Sequence, residues 1–321
     1  MKNHKLKNTD LSVSDICYGV MRLGTFVSGD EMYRLYEYYR EEGGNFFDTA
    51  HFYACWKPNG IGASERSLGE CLRKYGDREK VVILTKGGLP DQGDSYPRPD
   101  DCLTPSVIAS DISESLDRLQ IEKVDIYMLH RDDIRHPVGE IIETLNAEVD
   151  RGRIRYLGAS NWSTARIAEA NLYATSKGLQ GFVISSPQWN LGKQNHPPVR
   201  PDRSIDYTCV QLDENDVEWY RDNKFPVMPW TPTAYGYFAG STSINAQSFE
   251  NPISSQRREL ARQLAEKLGY TTNQIALAYL LSHDFPVFPI LGTTNAEHLS
   301  DSMDAGKITI TPEQREWLRK G

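Results

Sequence analysis

Disulfide pairing, membrane crossing and nucleic-acid binding all find little support in this sequence. Its five cysteines, Cys17, Cys55, Cys71, Cys102 and Cys209, are odd in number, scattered and never in CxxC spacing. That argues against a disulfide framework or a cysteine zinc site and fits a reducing cytoplasm. No apolar run approaches the roughly 20 residues that cross a bilayer. The opening MKNHKLKNTD lacks the apolar stretch of a signal peptide. No long basic block interrupts a net charge of −8, so neither nucleic acid nor an anionic membrane is an expected partner. The first apolar run leads into YGVMRLGT, which lacks the G-x-G-x-x-G turn that a doubly wound dinucleotide-binding sheet would want there. There is no linker, no low-complexity segment and no internal repeat beyond a β-then-α unit, so residues 1–321 read as one domain.

What is present is a regular alternation. Hydrophobic residues make up 39% of the chain, ample for a sizeable core. Short β-branched or aromatic runs fall at 16–21, 45–49, 81–86, 124–130, 154–160, 181–188, 226–231 and 287–291. Most are near-continuously apolar, as strands buried on both faces are. Helical segments lie between them. Ser28 and Glu31 have capping-box spacing before a face of Met32, Leu35 or Tyr36, and Tyr39. Thr104-Pro105 opens another helix with Pro in its first turn. Further helices are expected at 138–151, 163–177, 213–223, 255–267, 272–282, 295–305 and 312–319. Eight β-then-α units predict an α/β fold, a closed (β/α)8 TIM barrel. The Asn-Thr-Asp turn in KLKNTDLSVSD predicts an N-terminal β-hairpin outside the barrel count.

Chemistry in such barrels collects at the C-terminal strand ends. Those ends carry Asp48 with Tyr53 just after it, Lys86, His130, Ser160-Asn161, Gln188, Trp230, and Gly292-Thr293-Thr294. Singly, each has a structural reading: Asp48 as a helix cap, Lys86 as a solvated end, His130 as a packed ring. Together they form a proton-transfer set. A phenol of ordinary pKa near 10 is a poor acid at neutral pH. An adjacent ammonium lowers that value by stabilising the phenolate, and a buried ammonium in turn wants a carboxylate. Asp48 is therefore expected to hold Lys86 charged, Lys86 to tune Tyr53, and His130 to orient the same reacting oxygen, giving a general acid aimed at a carbonyl. A metal-dependent barrel would need His and carboxylate ligands at several strand ends. Only Asp48 and His130 qualify, so no metal is expected. Cys55 has no base to activate it and reads as a loop thiol.

These residues sit in a recognisable series: FFDTAHFY, ASERSLGECL, ILTKGG, VDIYMLHRDD, GRIRYLGASNW, SSPQWNL and VMPWTP. In order and spacing the series resembles the aldo-keto reductase family of NAD(P)-dependent oxidoreductases, over roughly residues 6–303. The resemblance implies a catalytic tetrad of Asp48, Tyr53, Lys86 and His130, with hydride exchanged between a nicotinamide and a carbonyl or alcohol substrate. It also implies that Ser160, Asn161 and Gln188 hold the nicotinamide carboxamide, an amide with two donors and an acceptor. Trp230 stands where the family usually stacks a Tyr on the nicotinamide. Potassium-channel β-subunits, relatives that act chiefly as regulators, supply the alternative reading.

The chain also departs from the family. No Lys or Arg occurs from residue 291 to 302, where many members grip the cofactor's 2′-phosphate. Gly292, Thr293, Thr294 and His298 are the expected contacts there, with Asp301 at the adenine or ribose or simply solvated. NADP(H) is the cofactor by family default, and NAD(H) stays open for want of the cation. Ser64 follows Tyr53 by eleven residues rather than three, about eight more than in many relatives. A second long segment, 190–212, carries Lys193, His196, Arg200 and Arg203 among prolines. Both are expected to be long catalytic-face loops that shape substrate access. Trp56, with Arg131 and Trp162 just beyond strand ends, is the candidate lining of the substrate pocket. A sugar derivative or an aryl carbonyl would suit such aromatics. A homo-oligomer also stays open, since either loop reads equally as a surface insertion or a contact between copies.

Overall fold

The computed structural model describes residues 1–89, 99, 101–195 and 209–320. Strands β1 (Asn3–Lys5) and β2 (Ser12–Ser14) pair antiparallel as the expected hairpin. Its turn is closed by Leu6 N–H to Leu11 O at 2.9 Å and by the Thr9 hydroxyl on Leu6 O at 2.8 Å.

A parallel sheet follows, built from β3 (Cys17–Gly19), β4 (Phe46–Asp48), β5 (Val82–Gly87), β6 (Val124–Leu129), β7 (Ile154–Ser160), β8 (Phe182–Ser186) and β9 (Ile290–Leu291). Their order is β8-β7-β6-β5-β4-β3-β9. The strand expected at 226–231 is reduced to isolated bridges, but it still joins the two sheet edges. Met228 N–H donates to Ser185 O at 2.7 Å on one side. On the other, Val227 N–H donates to Pro286 O at 3.0 Å and Val227 O accepts from Phe288 N–H at 2.8 Å. Pro226, Pro229, Pro286 and Pro289 bring no N–H to this seam. A ladder missing those donors cannot be continuous.

Around the ring lie α1 (Gly29–Glu41), α2 (Ala63–Tyr75), α3 (Pro105–Leu119), α4 (Val138–Asp150), α5 (Thr164–Lys177), α6 (Glu214–Asn223), a short α7 (Ile244–Gln247), α8 (Pro252–Leu268), α9 (Thr272–Leu281), α10 (Ala296–Met303) and α11 (Pro312–Arg319). Met32, Leu35, Tyr36 and Tyr39 of α1 are all buried, as the helical spacing predicts. The Ser28–Glu31 capping box does not form. Ser28 is extended and makes no side-chain cap among the described residues, leaving Asp30 and Glu31 to meet the positive end of the helix. Thr104 does cap α3, accepting from Val107 N–H.

Period-two alternation separates two apolar layers. Phe46, Val82, Leu84, Ile126, Met128, Ile184, Met228, Phe288 and Ile290 pack inside the ring. Phe47, Ile83, Tyr127, Leu129 and Leu157 pack outward against the helices. Leu6, Leu11 and Val13 of the hairpin join the inner cluster, so the hairpin plugs the end where the strands begin. Continuing the inner alternation places Asp48, Lys86, His130 and Ser160 on the inner face where the strands end. Leu6→Ala should cost about 2–5 kcal/mol of stability in urea unfolding. A loss under about 1 kcal/mol would show that the plug carries no core packing.

Candidate active site

Tyr53 is delivered by a turn pinned at several points. Thr49 N–H donates to Leu84 O at 2.9 Å and His51 N–H to Lys86 O at 2.8 Å. The Thr49 and Ser64 hydroxyls meet at 2.7 Å, and Ser64 donates on to Val20 O at 2.8 Å. Directly after Tyr53, Ala54 takes a left-handed φ of 60°. That turn sets the phenol beside Lys86, whose Nζ donates to Tyr53 Oη at 2.7 Å, to Thr49 O at 3.0 Å and to Asp48 Oδ1. Tyr53 Oη donates to Asp48 Oδ2 at 3.0 Å. All three ammonium protons are thus engaged. The His130 ring stands edge-on to Tyr53, with ring centroids 5.6 Å apart. The four residues expected to act together are brought together.

Their electrostatics correct one expectation. Burial pushes the Asp48 carboxyl up and the Lys86 ammonium down, while their mutual attraction opposes both shifts. Tyr53 was expected to be tuned downward by Lys86. Instead burial, then the charge of Asp48 and its hydrogen bond, push the phenol well above its ordinary value of 10. The cage around Lys86 is too dry, and Asp48 too close, for the ammonium to favour the phenolate. Tyr53 therefore holds its proton at neutral pH. Burial, then Arg131 and Lys86, push His130 well below its ordinary 6.5, so its ring is neutral. Its Nδ1 is buried and has no partner among the described residues. A lone pair without a donor is less costly there than an orphaned N–H, which favours the tautomer with its proton on Nε2.

Beside this cluster lies an amide shelf. Ser160 Oγ donates to Ser186 O at 3.1 Å. Asn161, at a left-handed φ of 58°, donates through Nδ2 to Ser160 Oγ at 2.9 Å and to His130 O at 3.3 Å. Its Oδ1 accepts from Trp230 Nε1 at 3.1 Å. Gln188 is buried, and neither its Oε1 nor its Nε2 has a partner among the described residues. An unsatisfied buried amide is costly and fits a ligand that both donates and accepts, as a carboxamide does. The residues present therefore fit a nicotinamide.

Just after β9, a Cβ added at Gly292 would meet open space. Thr293 O accepts from Tyr18 Oη at 3.1 Å, and Asn295 caps α10 through His298 N–H at 2.9 Å. Thr294 and His298 are nearby in sequence but make no side-chain bond to this cap. Asp301 is half-buried and already engaged. Its carboxylate accepts from Thr271 Oγ1 and Asn273 Nδ2, both at 3.0 Å, tying α10 to α9.

The three pocket candidates fare differently. Trp56 is 59% exposed on the inserted loop. Arg131 donates to His130 O at 2.7 Å and to Cys209 Sγ at 3.3 Å. Trp162 is buried in the sheet–helix layer against Phe182, with the Arg166 guanidinium over its ring, and so does not line the pocket. It turns outward because the residue after a left-handed Asn161 leaves the strand. The insertion itself is a compact run of turns, Ala54 O to Lys57 N, Lys57 O to Gly60 N and Gly60 O to Ala63 N, each at 2.9 Å. In the second long loop, Lys193 N–H donates to Ser254 Oγ at 2.9 Å. His196, Arg200 and Arg203 lie outside the described residues. Elsewhere Asp101, Asp133 and His136 cluster in metal-like proximity, but Arg135 occupies Asp133 and His136 pairs with Asp101 at 2.7 Å.

A closed β/α ring with a carboxylate, an ammonium, a phenol and an imidazole at one mouth defines a barrel oxidoreductase. The aldo/keto reductase family profile matches residues 15–320, and the chain belongs to that family, whose enzymes use NAD(P)H. It is 28% identical over 318 residues to the uncharacterised oxidoreductase YrpG of Bacillus subtilis, covering 96% of this chain and 92% of that one. It is 26% identical to an aryl-alcohol dehydrogenase [NADP(+)] of Phanerodontia chrysosporium, covering 96% and 82%. It is 27% identical to a probable voltage-gated potassium channel subunit beta of Oryza sativa, covering 98% and 94%. The fold matches a crystal structure of the thermostable aldo-keto reductase Tm1743 with a TM-score of 0.74, 22% identity and coverage of 100% and 99%. No helix among the described residues is long and apolar enough to cross a membrane. In an NMR titration the His130 ring signals should stay flat from about pH 8 down to about pH 5.5. A midpoint near 6.5 would show that the ring charges in that range.

Proposed function

We propose that this protein is a carbonyl reductase, reversible to an alcohol dehydrogenase, with Tyr53 as its general acid. The observation that carries this reading is the shared hydrogen-bond set of Lys86, Asp48 and Tyr53. A bound NAD(P)H supplies the hydride. Ser160 and Gln188 hold its carboxamide, Asn161 supports the shelf, and Trp230 provides the flat face for stacking. Tyr53 passes its proton to the substrate oxygen, and the charge left on Tyr53 Oη is stabilised by Lys86 at hydrogen-bond distance. Asp48 keeps Lys86 charged through this step. His130, neutral, donates from Nε2 to the same oxygen and so orients the carbonyl without competing for the proton. In the alcohol direction the same atoms run in reverse, which requires the phenolate and is therefore favoured at higher pH.

NADPH is the cofactor we assign, following the family. Thr293 and Thr294 hydroxyls, the His298 side chain and the first N–H groups of α10 would hold the 2′-phosphate in place of a cation. Weak discrimination against NADH follows. The exposed Trp56, three residues after Tyr53, and an aryl-alcohol dehydrogenase among the relatives support a substrate with an aryl or sugar-ring face. Tyr53→Phe should keep its cofactor affinity, followed by Trp fluorescence, while losing about 10²- to 10⁴-fold in kcat. Wild-type rates on every active aldehyde, ketone and alcohol in a panel would reject the acid assignment. Titration with both cofactors should favour NADPH by less than about tenfold. Equal affinities would remove NADPH as the default. No turnover at all, together with co-purification with a membrane protein, would favour the channel-subunit role instead.

A further inference from the structure

The inserted loop begins and ends on one guanidinium. Arg118 reaches from α3 across the loop's base. Its Nη1 donates to His51 O at 3.0 Å and to Glu65 Oε2 at 3.2 Å, and its Nη2 donates to Glu114 Oε2 at 2.6 Å. His51 stands two residues before Tyr53. Glu65, in the first turn of α2, stands just beyond the insertion and is fully buried. The other oxygen of Glu65 accepts from Thr85 Oγ1 at 2.7 Å, next to Lys86. His51 is therefore gripped twice through its backbone: its N–H by Lys86 O and its carbonyl by Arg118. Its ring also meets Glu114 Oε2 at 3.1 Å. The far end of the loop packs on the same side chain. At Gly62, where φ is +67°, an added Cβ would lie 2.6 Å from Arg118 Cδ.

We propose that Arg118, with Glu65, is a positioning residue for Tyr53, clamping both ends of the insertion so that the extra residues do not loosen the phenol. The inference rests on the reading of Tyr53 as the general acid. Neither Arg118 nor Glu65 touches the reacting atoms. Their contribution is geometric: His51 N–H is held by Lys86 O at the end of β5, and Arg118 holds the carbonyl of the same residue. An error of about 1 Å in a proton donor is enough to cost about 10²-fold in rate.

Removing Arg118 alone would leave Glu65 buried and uncompensated, which destabilises the fold for unrelated reasons. The test is therefore the paired variant Arg118→Met with Glu65→Gln, which removes both charges and keeps an acceptor for Thr85. The paired variant should lose roughly 10- to 100-fold in kcat with cofactor affinity unchanged. In a Tyr53→Phe background the same pair should cost less than about twofold, because the residue it positions has already lost its proton. Arg118→Lys, which places one ammonium where a fork is needed, serves as a second variant if the pair does not fold. It should show an intermediate loss in kcat. Wild-type kcat in the paired variant, or an equal loss with and without Tyr53, overturns the inference. Tyr53→Phe retaining full turnover overturns the functional reading and this inference with it. An inactive Tyr53→Phe beside a fully active paired variant overturns this inference alone.

Discussion

The arrangement of the barrel mouth depends on keeping one ammonium in a dry place. Lys86 is buried, and an unpaired buried charge would either lose its proton or unfold its surroundings. Asp48 offers the opposite charge, Thr49 a carbonyl, and Tyr53 a phenol oxygen. Three acceptors from the end of β4 and the turn after it converge on three protons from the end of β5. Satisfying Lys86 therefore fixes where the phenol must be. The burial that makes the pair costly also keeps Tyr53 protonated, because the phenolate would share the same low-dielectric space as Asp48.

The ring supplies direction, and strained backbone supplies the final placement. Alternation carries inner-facing apolar residues up each strand until polar ones replace them at the mouth. There the chain bends out of regular geometry. Left-handed φ values occur at Ala54, directly after Tyr53, at Asn161 itself, and at Thr231, directly after Trp230. For β-branched Thr231 this is a true outlier. Asn190 donates to its carbonyl at 3.1 Å, helping to hold a conformation that sets Trp230 against Asn161. Strain of this sort gathers where side chains must be aimed rather than merely packed.

Much of this was legible in the sequence, because the barrel writes itself in two periods. Runs such as VDIYML and helices such as SVIASDISESLDRL carry their burial pattern openly, and the strand-end residues follow from them. What was not legible depends on contacts between segments distant in sequence. The seam at 226–231 looks like a strand by composition, but its prolines meet those of 286–289 and thin the ladder. Ser28 has the spacing of a cap yet adopts no capping bond. Trp162 follows a strand end like its neighbours, but the left-handed turn at Asn161 sends it outward. The direction of the Tyr53 shift required knowing how dry the cage is. Arg118 was missed altogether, although the stripe that buries Ile108, Ile112 and Leu116 also buries Asp111, a sign that α3 faces polar partners.

The hairpin plug has a consequence for traffic as well as for packing. Leu6, Leu11 and Val13 fill one end of the ring, and Phe46, Leu84, Ile126 and Met128 fill the storey between them and Lys86. Close-packed hydrocarbon offers a proton no relay. On the proposed reading of Tyr53 as the general acid, its proton would have to be replaced from the mouth of the ring, because the packed end offers none. A substrate seated over the phenol would close that route, so reloading would follow the departure of product.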